Sequence, residues 1–356
     1  MQKSKLKWLA SLAITAGILG ACGDEKQISQ GKASNDYEIT VGLSQSAGGV
    51  LVDIAHQEGY FEEENIEVNR VGFANSADGL NALQAGKIDV GLTFGTAGPL
   101  TFIANGSDFS IIGGHLEGGH PILTKKENAG QYTSLESYKG KKVGTIRIFT
   151  SDIVFRSALE DAGIDWKTDL EIIEFKTGSM LLEAVASGKV DVAVSANSFY
   201  AQGVDMGLEA VAWSNDLQEG HVCCRVVTRS ELLAEDDGEA YKRFLKALIR
   251  AERKKIEEPE AAVTAAKEYM NVDEKVIDKI VNESHSTYSS DPSKEKVVQM
   301  WEQMKEIGYV ENVEDIDVNE YVNIDLYEKA LNELIEQYPD DAYFKEQLIR
   351  FNEQNI

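Results

Sequence analysis

Four short stretches of this 356-residue chain gather small neutral hydrogen-bonding side chains where a ligand could use them. They are Ser44, Gln45 and Ser46; Phe94, Gly95 and Thr96; Thr150 and Ser151; and Asn197 and Ser198. Each follows a short apolar run that reads as a strand and precedes a helical pattern. Each is therefore expected where a strand's carboxyl end meets a helix N-terminus. Unpaired N–H groups and the helix dipole favour anionic oxygens there, and hydroxyl and amide side chains add donors. Any one of these residues could instead be a simple N-cap. Four at equivalent positions point to a binding site. Arg147 and Arg156 are the cations best placed to pair with an anion, or else lie on a solvated face or pair with acids. His115, His120 and His221 fall on predicted loops and crossings near the same place, where a structural role is equally open.

Catalytic signatures are missing. There is no Walker phosphate loop, GxSxG elbow, HExxH or zinc-type CxxC pair, so no catalytic residue, metal or cofactor is expected. Cys223 and Cys224 follow His221, and adjacent thiols beside a histidine could hold a soft metal. Alternation along a strand should send them to opposite faces, which favours buried, inert thiols. A vicinal disulfide stays open in an oxidising compartment.

The elements that position these residues centre on a doubled stretch, GLNALQAGKIDVGL at 79–92 and LLEAVASGKVDVAV at 181–194. Gly188 falls 102 residues after Gly86. Each copy reads as a helix end, a glycine stop, a Lys-x-Asp turn and a buried strand. Two such helix–strand units imply two similar α/β lobes with a cleft between them. Strands are expected at 37–43, 66–71, 90–93, 110–113, 122–125, 143–147, 170–175, 190–194, 210–213 and 221–228. From Leu232 onward the chain reads as helical, with Tyr241, Phe244, Leu245, Leu248 and Ile249 as one apolar stripe. Lobe one is expected to comprise 37–120 and 226–356, with the helical tail packed on it, and lobe two 121–225.

The formal net charge is −25, which argues against nucleic acid and anionic lipid as direct partners. Lys3, Lys5 and Lys7 precede a short apolar run ending in Leu19-Gly20-Ala21-Cys22. Residues 1–21 therefore read as a signal peptide, Cys22 as a lipidated N-terminus and 22–36 as a flexible tether. The expected protein is an extracytoplasmic monomer held to the cell membrane through Cys22.

LGAC, the paired GKIDV and GKVDV, GKKVGTIRIFTSD and NIDLYEKAL together resemble the type II solute-binding proteins of ABC transporters. The resemblance spans residues 37–338 and is strongest to the aliphatic-sulfonate, taurine and nitrate-binding subgroup, itself similar to the thiamine-pyrimidine precursor family. It implies the two-lobed type II periplasmic-binding-protein fold, each lobe a mostly parallel sheet flanked by helices. It also implies a small-molecule ligand, an ABC permease with its ATPase as partner, and a cleft lined by Ser44–Ser46, Phe94–Thr96, Thr150–Asp152 and Asn197–Ser198. The pyrimidine-synthase branch of that superfamily carries consecutive cysteines in the return segment, which HVCCRVV matches in part. Phe94, Phe149 and Phe199 suggest a ligand with an apolar or aromatic body. A non-catalytic receptor for a small organic anion is the leading expectation. A precursor-binding protein, a synthase-like enzyme and a sensory lipoprotein are the alternatives.

Overall fold

The computed structural model describes residues 36–44, 49–270 and 272–356. The signal peptide, Cys22, the tether up to residue 35, Gln45 and Ser46 lie outside the described residues. The described residues form eleven strands: β1 Tyr37–Ser44, β2 Ile66–Phe73, β3 Val90–Gly91, β4 Phe109–Gly118, β5 Pro121–Lys125, β6 Lys142–Thr145, β7 Glu171–Glu174, β8 Val192–Val194, β9 Leu208–Trp213, β10 Val222–Arg229 and β11 Ser286–Tyr288. They form a six-stranded sheet in the order β11-β4-β10-β3-β1-β2 and a five-stranded sheet in the order β7-β6-β8-β5-β9. Among the described residues no helix is long and apolar enough to cross a membrane.

The sheets share one plan. In each, a central strand pairs in parallel with a neighbour on either side, β1 with β2 and β3, β6 with β7 and β8. Next to β3 and β8 comes an antiparallel strand that crossed over from the other lobe's side of the chain, β10 and β5 respectively. The doubled sequence produces this directly. Helices Ser76–Gln84 and Gly178–Ser187 end at Gly86 (φ 67°) and Gly188 (φ 78°), left-handed positions that suit glycine. The aspartate three residues on then locks the turn onto the central strand. Asp89 Oδ2 accepts from Thr40 N and Asp191 Oδ2 from Lys142 N, both at 2.8 Å.

Several elements depart from the sequence-based expectation. β4 runs on to Gly118, which places His115 in a buried strand and not a loop. β10 belongs wholly to the six-stranded sheet, so the boundary expected between 225 and 226 falls inside it. The region after Leu232 is not all helix, because β11 adds an edge strand to β4. A further helix, Ala342–Gln354, follows Asp325–Gln337. The apolar stripe of Glu239–Glu257 is buried as its spacing predicts. The tail does more than cover lobe one: helix Lys294–Glu306 buries Met300, Trp301 and Met304 in one cluster with Ile153 and Val154 of helix Thr150–Asp161.

A polar block underlies β4 and β10. Arg225 is fully buried and donates to Asp291 O (2.7 Å) and Leu116 O (3.2 Å), with Glu117 3.6 Å away. Arg350 and Lys296 reach the same glutamate from the tail. Together they hold the Glu117 carboxyl below the usual range despite its burial.

Candidate functional site

Beyond the carboxyl ends of β1, β3, β6 and β8 the chain encloses a narrow cleft with about 50 Å³ of free volume. Ligands of open α/β sheets bind at such strand ends. Lobe one supplies Ser44, Ser76, Thr93 and Gly95, and β4 and β10 add Leu116, Cys223 and Cys224. Lobe two supplies Phe149, Thr150, Ser151, Ala196, Asn197 and Ser198, with His120 at the crossing. Among the described residues, no lining side chain is formally charged.

The loop before helix Thr150–Asp161 carries visible strain. Ile148 has φ 67°, a region that penalises a β-branched side chain. Its N–H donates to the Tyr309 hydroxyl from the tail. The twist turns Phe149 into the cleft and makes it the N-cap residue. Thr150 and Ser151 are consequently the first two helical residues and not caps. Thr150 Oγ1 donates to Cys223 O at 3.0 Å. Thr96, also expected to face the ligand, is fully buried behind the lining. Its hydroxyl donates to the same carbonyl at 2.8 Å, and its N–H donates to Thr150 Oγ1 at 3.2 Å. One carbonyl thus joins both lobes. Gly95 sits between (φ 83°), a conformation that a side chain would strain.

His120 is positioned with unusual definition. Its backbone N–H donates to Ser214 Oγ (3.0 Å), and its Nδ1 accepts from Asn197 N (3.3 Å). With Nδ1 as acceptor, the neutral ring must carry its proton on Nε2. Burial, helped by neighbouring His221, lowers its pKa to about 3, so the ring stays neutral. That Nε2 is buried and has no partner among the described residues, and the same holds for Ser151 Oγ. Asn197 is fixed through Nδ2 to Ser286 Oγ at 3.0 Å.

Other expected site residues lie elsewhere. His221 does not line the cleft: Nδ1 meets Val222 O at 3.2 Å and Nε2 meets Ser214 Oγ at 2.8 Å. Both ring nitrogens are used internally. Arg147 points outward, 3.6 Å from Glu174 and over the Tyr309 ring. Arg156 is buried in a pair with Asp152 (2.8 Å), which also accepts from Thr145 Oγ1. Phe94 is 1% exposed and packs where Gly42, Gly79 and Gly91 make room, so it shapes the wall from behind. Phe199 does the same against Gly178.

The cysteines correct the sequence-based reading most sharply. Both line the cleft, and their sulfurs are 3.1 Å apart, not on opposite faces. Register shifts on either side of Cys224 break the alternation that opposite faces require. Residue spacing holds no signal for such bulges. Thr93, Ser76, Leu116 and Ala196 were likewise missed; Thr93 could have been found as the last residue of the predicted third strand. Among the described residues, no three His, Cys, Asp or Glu side chains stand together as a metal site.

A family model described as NMT1/THI5 like matches residues 49–262. A putative binding protein of Brucella abortus (strain 2308) is 26% identical over 234 residues, covering 64% of this chain and 69% of that protein. The 4-amino-5-hydroxymethyl-2-methylpyrimidine phosphate synthase of Candida albicans (strain WO-1) is 24% identical over 215 residues, covering 57% and 62%. Among solved structures, the periplasmic nitrate-binding protein NrtA from Synechocystis PCC 6803 superposes with a TM-score of 0.71 at 16% identity, covering 83% of this chain and 89% of that one. The periplasmic aliphatic sulphonate binding protein SsuA from Escherichia coli gives 0.64 at 19% identity, covering 77% and 88%. At these identities the structural matches establish the fold, two lobes of the periplasmic-binding-protein type.

Proposed function

The chain belongs to the NMT1/THI5 like family, and from that premise we propose that it is the solute receptor of an ABC-type importer. It binds one small organic anion between its lobes and presents it to a permease with its ATPase, without chemical turnover. The observation that carries this reading is the cleft itself: donors from both lobes converge on it, and Ser151 Oγ and His120 Nε2 are buried there with no partner among the described residues. A buried donor left unsatisfied costs about 1–3 kcal/mol, which a ligand's acceptor oxygens recover. With no cation among the described lining residues, the anion's charge is met by neutral donors and by the N-termini of helices Ala97–Ala104 and Thr150–Asp161. That favours a diffuse charge, as in a sulfonate, nitrate or aromatic carboxylate, with any apolar body against Phe149 and Leu116.

Thermal shift against alkanesulfonates, taurine, nitrate, aromatic carboxylates and substituted pyrimidines tests this. A ligand at one hundred times its Kd should add about 2.7 kcal/mol of stability, and the Thr150→Val/Asn197→Ala double variant should lose that gain. Full stabilisation of the double variant would sink the site assignment. The uncharged lining also supports a second reading, a neutral heterocycle of the pyrimidine-precursor kind. Stabilisation by pyrimidines alone, with the compound recovered unchanged, selects it; consumption of the compound would select an enzyme. Export and anchoring through Cys22 belong to the same proposal. A diacylglyceryl thioether on the N-terminal peptide, and release from the membrane fraction in Cys22→Ala, are the expected results.

A further inference from the structure

Cys223 and Cys224 sit where the lobes are tied together, and the tie is the peptide group between them. Both thiols are free and both line the cleft. The Cys223 carbonyl oxygen accepts the Thr96 hydroxyl from one lobe at 2.8 Å and the Thr150 hydroxyl from the other at 3.0 Å. Adjacent α-carbons across a trans peptide are about 3.8 Å apart, whereas a relaxed disulfide spans about 4.4–6.8 Å between α-carbons. Drawing sulfurs that stand 3.1 Å apart to the about 2.0 Å of a disulfide closes a small ring through that peptide, so the torsions on either side of it must turn, and its carbonyl with them. The ladder is already interrupted on both sides of Cys224, so that peptide can turn while the rest of β10 stays paired.

We propose that the Cys223–Cys224 pair is an oxidation site for small hydroperoxides, and that closing its disulfide releases the latch between Thr96 and Thr150. The Cys224 thiolate attacks one peroxide oxygen, the O–O bond breaks, and water leaves with a sulfenic acid on Cys224. The Cys223 sulfur then displaces that oxygen as a second water and forms the S–S bond. Two thiols and one hydrogen peroxide become one disulfide and two waters. The order of attack is set by the surroundings: hydrogen bonds from the Cys223 thiol and the Gly95 N–H hold the Cys224 thiol below the usual range, while burial pushes Cys223 up. A cleft with about 50 Å³ of free volume admits a peroxide and excludes a protein disulfide carrier. The strained product should be easily reduced again.

The full chain is treated with hydrogen peroxide, and the peptide containing residues 222–225 is weighed before and after dithiothreitol. The expected product has lost two hydrogens and regains them on reduction. Hydrogen exchange at the Thr96 amide, which donates to Thr150 Oγ1, reports the latch. It should speed about tenfold on oxidation, as loss of one hydrogen bond allows, and return on reduction. Thr150→Val should show the fast exchange without peroxide, and Cys224→Ser should show no peroxide response. Were Cys224→Ser not to fold, the reversible change in the unmutated chain still decides the matter. Unreacted thiols, a product that dithiothreitol cannot reverse, or a disulfide that leaves Thr96 exchange unchanged would each overturn the proposal.

Discussion

The two copies of the helix–glycine–aspartate–strand unit are nearly superimposable in their bonding and diverge at the residues just beyond their strands. Val41 pairs with Val90 and Gly42 with Gly91; 102 residues on, Val143 pairs with Val192 and Gly144 with Ala193. Asp89 and Asp191 exchange matching hydrogen bonds with Thr40 and Lys142. Past the strands the likeness fails. Thr93 Oγ1 accepts from Ser44 N at 2.7 Å, whereas the equivalent Ser195 Oγ is buried and has no partner among the described residues. Lobe one then buries Phe94 and Thr96 in its wall, while lobe two turns Ala196, Asn197 and Ser198 into the cleft. The repeated part is scaffold, and the divergent part shapes the cleft.

The largest expected effect separates both copies from the crossings between them. Neither copy contains histidine, whereas His120 and His221 stand at the crossings and His115 on β4. Burial lowers the pKa of His115 and His120 to about 3 and of His221 to about 4. Because the unfolded rings protonate near pH 6.5, stability should be full above that pH and fall as pH drops below it, by up to about 1.4 kcal/mol per unit for each histidine. Asp53, raised to about 6 by burial, acts in the opposite sense below pH 6, and burial raises the Asp152 and Glu252 carboxyls in that same opposing direction. The three histidines outnumber Asp53, so the net loss should set in as pH falls through 6.5. Denaturant titrations that stay flat from pH 7.5 to 6 would contradict this, as would amides of 79–92 losing exchange protection before those around 120 and 221.

Substitutions then probe the copies themselves. Gly79→Ala drives a methyl into the fully enclosed Phe94 ring, and about 3 kcal/mol of destabilisation is expected from overpacking. Gly178→Ala meets Phe199 in the same way, but that ring is half-buried and can yield, so about 1 kcal/mol is expected. Equal costs in chemical denaturation would erase the distinction. Asp89→Ala and Asp191→Ala should each cost about 2 kcal/mol, since each removes a charged acceptor from a backbone N–H; a gap above about 1 kcal/mol would show that the copies are not energetically alike. The smallest effect sharpens the contrast furthest. Thr93→Val should cost about 1 kcal/mol, while Ser195→Ala should be neutral or slightly stabilising, because its hydroxyl is buried without a partner among the described residues.

The scaffold was legible because its signals are local and doubled: glycine stops, β-branched strands and an aspartate at fixed spacing. Ser44, Gly95, Thr150, Ser151, Asn197 and Ser198 line the cleft from strand ends, and His120 lines it from the crossing. What stayed hidden depends on long-range packing. Phe94 withdraws because three glycines distant in sequence leave it a hole. His221 is consumed by Ser214 and Val222. The cysteines share one face because bulges reset the register, and Arg156 is claimed by Asp152 one turn away.

The six-stranded sheet takes its third member in spatial order, β10, from beyond the whole of the other lobe. β3 and β4 meet only through it, and Asp89 O waits for Thr228 Oγ1, 139 residues downstream. The five-stranded sheet is assembled from residues 121–213 without interruption. A chain emerging from a ribosome or an export channel N-terminus first can therefore finish its second lobe while the first is still an open sheet with an unpaired β3 edge. Such an edge invites mispairing. Refolding should show a fast phase for the inserted lobe and a slower one for the lobe that encloses it, since non-local pairing delays closure.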